Sequence, residues 1–333
     1  MTTTPLWIYR GDGNPHAWDV PPSPPWREFA GQPMDRPPSP DAPGSRRRRH
    51  LASTYRAEPG EALMVNTAIH LRRPLLVTGT PGCGKSTLAL SVAYELGLGE
   101  LLYWPITSRT TVQDGLYRYD AVGRLHAAGL RERTRGRGGA GTQIGKYLSL
   151  GPLGTALLPA DRPRVLLIDE FDKGDIDLAN DLLTVFEEGR FTVPELQRLP
   201  NRTVTVQDDD GLPVEIERGA VECAQFPIVV ITSNGEREFP PAFLRRCIPL
   251  RIAPPSPDKL RRIVQAHLGR EVLADPLVRE LVTDFAEILE KQDGTYATDQ
   301  LLNLLSLRTG VSKTDDDWSA LTRNLLGRLD DQP

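Results

Sequence analysis

Nine residues constrain this chain more than any others: Gly79-Thr80-Pro81-Gly82-Cys83-Gly84-Lys85-Ser86-Thr87, a fit to GxxxxGK[ST]. An apolar run, Leu75–Thr78, leads into them, and Leu88, Val92 and Leu96 at i, i+4, i+8 lead out. A strand that turns through glycines into an amphipathic helix is the context that makes this pattern a phosphate-binding loop. The glycines let the backbone curl so that successive N–H groups face phosphate oxygens. The helix that follows adds the positive end of its dipole. Lys85 supplies a point charge to the β- and γ-phosphates, and the Ser86 hydroxyl suits a Mg²⁺ ligand. Cys83 occupies a spacer position and reads as a small filler rather than a redox switch. Gly97 and Gly99 offer the helix a stop.

Further apolar runs of strand length occur at 101–104, 165–168 and 228–232. They are continuous rather than alternating, as strands buried on both faces of a parallel sheet are. Strand–loop–helix repetition over residues 51–253 therefore predicts a three-layer α/β/α core.

Two of these strands end in chemistry. Val165-Leu166-Leu167-Ile168 runs into Asp169-Glu170, at the strand end where open α/β sheets place ligands. Asp169 is placed to hold magnesium, through water, and Glu170 to polarise an attacking water. Ile228–Thr232 runs through Ser233 to Asn234, a candidate for the γ-phosphate or the lytic water; the competing reading is an Asn-Gly turn at Asn234-Gly235. Further on, Phe239-Pro240-Pro241-Ala242-Phe243-Leu244-Arg245-Arg246 predicts a short helix closed by two arginines. Within one subunit these would lie far from the phosphate loop. In a ring either arginine could reach a neighbour's γ-phosphate; otherwise they are a surface pair.

Eleven of the 30 prolines fall in residues 1–50, several in Pro21-Pro22-Ser23-Pro24-Pro25 and Pro37-Pro38-Ser39-Pro40. Proline at that density neither pairs strands nor continues helices. The segment, which ends in Arg46–Arg49, reads as a solvated tail or as an extended arm docked on a neighbouring subunit. Trp7, Ile8, Tyr9, Trp18, Trp26 and Phe29 argue for docking, because disordered tails are poor in aromatics. Residues 254–333 change to helical spacing. Ser256 is an N-cap with Pro257 after it; Leu260, Ile263, Val264 and His267 share a face. A second helix from Asp275-Pro276 has Leu277, Leu281, Phe285 and Ile288 as its stripe, and Leu301, Leu304 and Leu305 mark a third. The predicted boundaries are 1–50, 51–253 and 254–333.

A net charge of −4 argues against a general polyanion-coating role. Arg131, Arg133, Arg135 and Arg137, running into Gly138-Gly139-Ala140-Gly141, form either a solvated loop or a contact for a client or nucleic acid. Cys83, Cys223 and Cys247 have no zinc spacing and suit a reducing compartment. With no apolar leader and no run of membrane-spanning length, the expectation is a cytoplasmic protein without membrane insertion.

The four motifs, in this order, resemble an AAA+ ATPase, and the helical tail resembles that family's lid domain. Gly151–Leu158 (GPLGTALL) and 175–191 (DIDLANDLLTVFEEGRF) are similar to phrases of the MoxR group. There the second leads into a β-hairpin, which Thr192–Cys223 would hold here. The resemblance spans about residues 60–305. It implies ATP and Mg²⁺ bound at Gly79–Thr87, with Asp169 and Glu170 as the Walker B pair, Asn234 as sensor 1, and Arg246, beside Arg245, as the arginine finger. It also implies hexameric rings, chaperone-like remodelling and partners bearing von Willebrand factor A domains. The departure is sensor 2: where the family carries an arginine, this chain reads Tyr296-Ala297-Thr298-Asp299-Gln300-Leu301, and Arg308 is two turns too late. Slow or partner-stimulated hydrolysis is the expectation. Two other readings stand beside it: a nucleic-acid-directed ring motor using Arg46–Arg49 and Arg131–Arg137, and a nucleotide-gated switch that turns over little.

Overall fold

A computed structural model describes residues 6–34, 44–133, 140–200, 202–291 and 297–310. Its central sheet has five parallel strands: β1 (Leu75–Thr78), β2 (Leu102–Pro105), β5 (Val165–Asp169), β10 (Ile228–Ser233) and β11 (Ile248–Arg251), in the order β11-β1-β10-β5-β2. Successive residues of a strand face opposite sides. Leu75, Val77, Val165, Leu167, Ile228 and Val230 enter one apolar cluster, while Leu76, Leu166, Ile168, Val229 and Ile231 enter another on the opposite face. This explains why the strands read as unbroken apolar runs. The α/β sandwich expected from the sequence is present. β11 went unread because its Ile-Pro-Leu-Arg alternates in burial at the sheet edge.

A second sheet, order β3-β4-β7-β8-β9-β6, grows from two insertions. Between β2 and β5 the chain adds β3 (Tyr117–Tyr119), the helix Ala121–Arg133 and β4 (Leu148–Leu150). Between β5 and β10 it adds β6 (Arg190–Thr192), β7 (Thr203–Gln207), β8 (Pro213–Glu217) and β9 (Ala220–Glu222). β7 and β8 form an antiparallel hairpin that buries Val204, Val206, Val214 and Ile216 on one face and exposes the residues between. This is the hairpin anticipated within 192–223. Arg135, Arg137, Gly138 and Gly139 of the arginine/glycine run lie outside the described residues.

The helices Pro257–Leu268, Pro276–Lys291 and Thr298–Gly310 have an apolar cluster of their own. Ser256 caps the first by accepting the Lys259 N–H at 3.2 Å. The buried stripe of the second is Val278, Val282, Phe285 and Leu289, whereas Leu277 is 51% exposed. The expected stripe was thus rotated by one residue. Apolar side chains cover so wide an arc of this helix that only its neighbours decide which part faces in.

The proline-rich segment departs furthest from expectation. Residues 6–34 are not a solvated tail; they are strapped across both faces of their own core. Ile8 and Tyr9 are buried in the cluster behind the phosphate loop, and Phe29 stacks on Phe226 in the opposite cluster, with ring centroids 5.6 Å apart. The arginine run then belongs to a helix, Ser45–Thr54, which crosses the boundary drawn at residue 50. Arg48 there pairs with Glu100 at 3.1 Å.

Candidate active site

The phosphate loop runs from the C-terminal end of β1 into the helix Lys85–Glu95. Three of its glycines hold positive φ: Gly79 (156°), Gly82 (73°) and Gly84 (95°). Side-chain-bearing residues rarely adopt such angles. Space forbids a side chain as well. A Cβ on Gly79 would lie 2.6 Å from the Ile252 carbonyl oxygen, and one on Gly82 would lie 2.3 Å from the Ala297 Cβ. The Lys85 ammonium donates to the carbonyls of Gly79 (2.7 Å) and Thr80 (2.8 Å), which folds it into the loop. Cys83 is half-buried against the apolar cluster, and burial pushes its thiol pKa up. Its thiol therefore lacks the thiolate character a redox switch needs.

Asp169, at the end of β5, gathers hydroxyls. Oδ1 accepts from Ser86 Oγ at 2.8 Å and from Thr232 Oγ1 at 2.6 Å; Oδ2 accepts from Tyr103 OH at 3.3 Å. The same Thr232 oxygen accepts the Glu170 N–H at 2.9 Å. One hydroxyl on β10 thus fixes both carboxylate residues on β5. Glu170 itself sits in the left-handed region (φ 58°). That conformation costs an ordinary residue of order 1–3 kcal/mol and clusters at functional sites. Its carboxylate pairs with Lys173 at 2.8 Å, with both side chains about half exposed.

Asn234 follows β10 as expected. Its backbone N–H, with that of Glu236, is accepted by Asp172 Oδ2 at 2.9 and 3.1 Å. Asp172 is only 3% exposed. It locks the loop after β10 onto the turn after β5.

These residues meet in one cavity of about 350 Å³, lined by Pro81, Gly82, Gly84, Lys85, Ser86, Thr87, Asp169, Glu170, Thr232, Asn234 and Asp299. A second, more apolar cavity of about 160 Å³ adjoins it, lined among others by Tyr55, Arg56, Cys83, Lys259, His267, Thr298 and Leu302. The C-terminal helices therefore border the phosphate loop. Burial, with His50 and Arg56 nearby, pushes the His267 pKa down, so its ring is neutral at pH 7.

Arg245 and Arg246 line neither cavity. They follow the short helix Pro241–Leu244, and Arg246 Nε donates to Glu187 Oε1 at 2.6 Å. Arg308 is likewise removed: it pairs with Asp275 inside the lid at 2.9 Å.

Thr232, Asp172 and Tyr103 were not singled out from sequence. Thr232 carried a usable signal, a lone hydroxyl at the end of an apolar strand. Asp172 and Tyr103 carried none, because their partners are 62 or more residues away.

A cradle too tight for any Cβ, a lysine on the loop, and a hydroxyl beside a carboxylate make a donor set that fits a nucleoside phosphate with a hard divalent cation. Among the described residues no helix is long and apolar enough to cross a membrane. No curated protein matches the chain. The family model described as an AAA domain of the dynein-related subfamily matches residues 74–247, just over half of the chain, from the strand before the phosphate loop to the arginine pair. The chain belongs to this AAA domain family, a branch of the AAA+ ATPases.

Proposed function

We propose that this chain is a MoxR-like AAA+ ATPase that hydrolyses ATP between the subunits of a hexameric ring and uses the cycle to remodel a protein client. A partner with a von Willebrand factor A domain is the expected companion. The observation that carries the reading is the 2.8 Å hydrogen bond from Ser86 to Asp169, in a cavity that also holds Lys85, Glu170 and Asn234.

Loop N–H groups and Lys85 would bind the phosphates. Ser86 and Asp169 would hold Mg²⁺, which when bound neutralises charge on the phosphates. Glu170 would orient water and accept its proton, and Asn234 would position the same water. Arg246 would stabilise charge at the site of the adjacent subunit. An arginine in that role is worth about 10³–10⁵ in rate in GTPases.

The nucleotide-gated switch reading also has support, in two ion pairs. Glu170 is paired with Lys173 and Arg246 with Glu187, so both proposed catalytic groups are engaged within the single chain. Turnover would then wait for assembly.

The test is the Mg²⁺-dependent ATPase rate per subunit across a range of protein concentrations, with Glu170→Gln as the blank. A rate that rises with concentration and vanishes in the blank supports the enzyme. A flat rate equal to the blank, with ADP and ATP still bound, supports the switch. No nucleotide binding at all sinks both.

A further inference from the structure

The lid contributes one charged side chain to the phosphate cavity, and it has the sign opposite to what phosphate binding calls for. Asp299 lines that cavity together with Lys85, Ser86 and Asp169. It also lines the adjoining apolar cavity, so it stands where the two meet. It lies in the first turn of the helix Thr298–Gly310. A helix start carries about half a positive charge, which favours phosphate. A carboxylate in that turn offsets it.

The position is held firmly. Ala297 lies so close above the phosphate loop that Gly82 has no room for a Cβ. The Ala297 N–H is accepted by Gln300 Oε1 at 3.0 Å, and the Gln300 N–H returns to the Ala297 carbonyl at 3.0 Å. The turn carrying Asp299 is thus closed on itself and pressed against the loop. Asp299 makes no hydrogen bond or ion pair among the described residues, so nothing there neutralises it.

We infer that Asp299 is a specificity-determining residue that sets the preference of this site between nucleoside di- and triphosphate, by repelling the charge that the γ-phosphate adds. This rests on the proposed nucleotide-binding reading. A lid that carries a cation here would tighten on the triphosphate. This lid is pushed off by it and settles on the diphosphate.

The test compares the affinities of ADP and of a non-hydrolysable ATP analogue, both with Mg²⁺, for the full chain and for Asp299→Asn, by titration calorimetry. The charge is solvent-exposed, so the substitution leaves folding intact; an unchanged unfolding midpoint checks this. Removing one charge from the cavity lining is expected to tighten the triphosphate analogue by about three- to ten-fold at moderate salt. ADP affinity should move by less than about two-fold, and Asp299→Arg should extend the trend. An unchanged ratio of the two affinities overturns the inference. So does weaker binding of the analogue, which would make the carboxylate a partner of the metal or the ribose. If the unsubstituted chain binds neither nucleotide, the nucleotide-site reading itself falls, an outcome distinct from an unchanged ratio.

Discussion

Asp172 shows how one buried carboxylate can govern a site it does not line. Its Oδ2 accepts the N–H groups of Asn234 and Glu236, and its Oδ1 is buried without a hydrogen-bond partner among the described residues. Hydrogen bonds to a charged group contribute about 1.5–3 kcal/mol each, and stranding a buried partner costs about as much. Asp172→Ala is therefore expected to lower stability by about 3 kcal/mol. It should also reduce ATP turnover far more than ADP affinity, because the loop it holds carries Asn234 and not the phosphate cradle. Urea unfolding and the split between kcat and KM check the two halves. Equal loss of ADP binding would mean that the substitution merely loosens the whole fold. The positions of Lys85, Ser86, Asp169 and Asn234 were legible because each follows a strand in an unbroken local phrase. Asp172 was illegible because its two donors sit 62 and 64 residues away.

One carboxylate gathers four successive amides of the strap of residues 6–34. Glu95, at the end of the helix that begins at the phosphate loop, is fully buried and accepts the backbone N–H groups of Arg10, Gly11, Asp12 and Gly13 at 2.5–3.3 Å. Asn66 accepts the N–H groups of Ile8 and Tyr9, and the Tyr9 hydroxyl meets Ser91 at 2.9 Å. Burial pushes the Tyr9 phenol pKa far up, so that hydroxyl keeps its proton. Glu95→Ala would strand the N–H groups of the buried Gly11 and Gly13 and remove the partner of two more, and a loss of about 3–5 kcal/mol is expected. Thermal unfolding of the variant, beside a chain lacking residues 1–34, checks the assignment. If the strap is held as described, the shortened chain should fall further than the point variant, and adding Glu95→Ala to the shortened chain should cost little more. Additive losses would place the Glu95 contribution elsewhere. Of the residues taken to announce docking, Ile8, Tyr9, Trp18 and Phe29 pack on the core, whereas Trp7 and Trp26 stay exposed. The target was hidden in part because Glu95 and Asn66 are met by backbone amides, which any sequence possesses. The lid helix Pro276–Lys291 failed more mildly: its apolar arc admits two stripes that share Phe285, and the packing selected the one through Val278 and Val282.

At the scale of the molecule, the separation between the phosphate cavity and Arg246 is the central fact. Arg246 is tied to Glu187, and the same carboxylate meets Arg27 of the strap at 3.4 Å. Arg27 is itself buried, donating to the carbonyls of Arg72 and Phe186 and lying over the rings of Phe29 and Phe226. Arg246 is thus held by Glu187 away from its own cavity, and that ion pair would have to open for it to serve another's. In the proposed ring of identical subunits the contacts would be head-to-tail, and each cavity would face the next subunit's arginine pair. Arg246→Ala alone should keep ADP binding and lose most turnover, and Glu170→Gln alone should do the same. Mixed in equal amounts, the two inactive chains should regain activity. A site works when it keeps its own Glu170 and faces a neighbour with an intact Arg246, which random mixing supplies at about a quarter of positions. Recovery near that level, measured as phosphate release after the two chains are allowed to exchange, requires a site shared across subunits. No recovery, under conditions where size measurements show mixed assemblies, would place Arg246 in the service of its own subunit or of the fold.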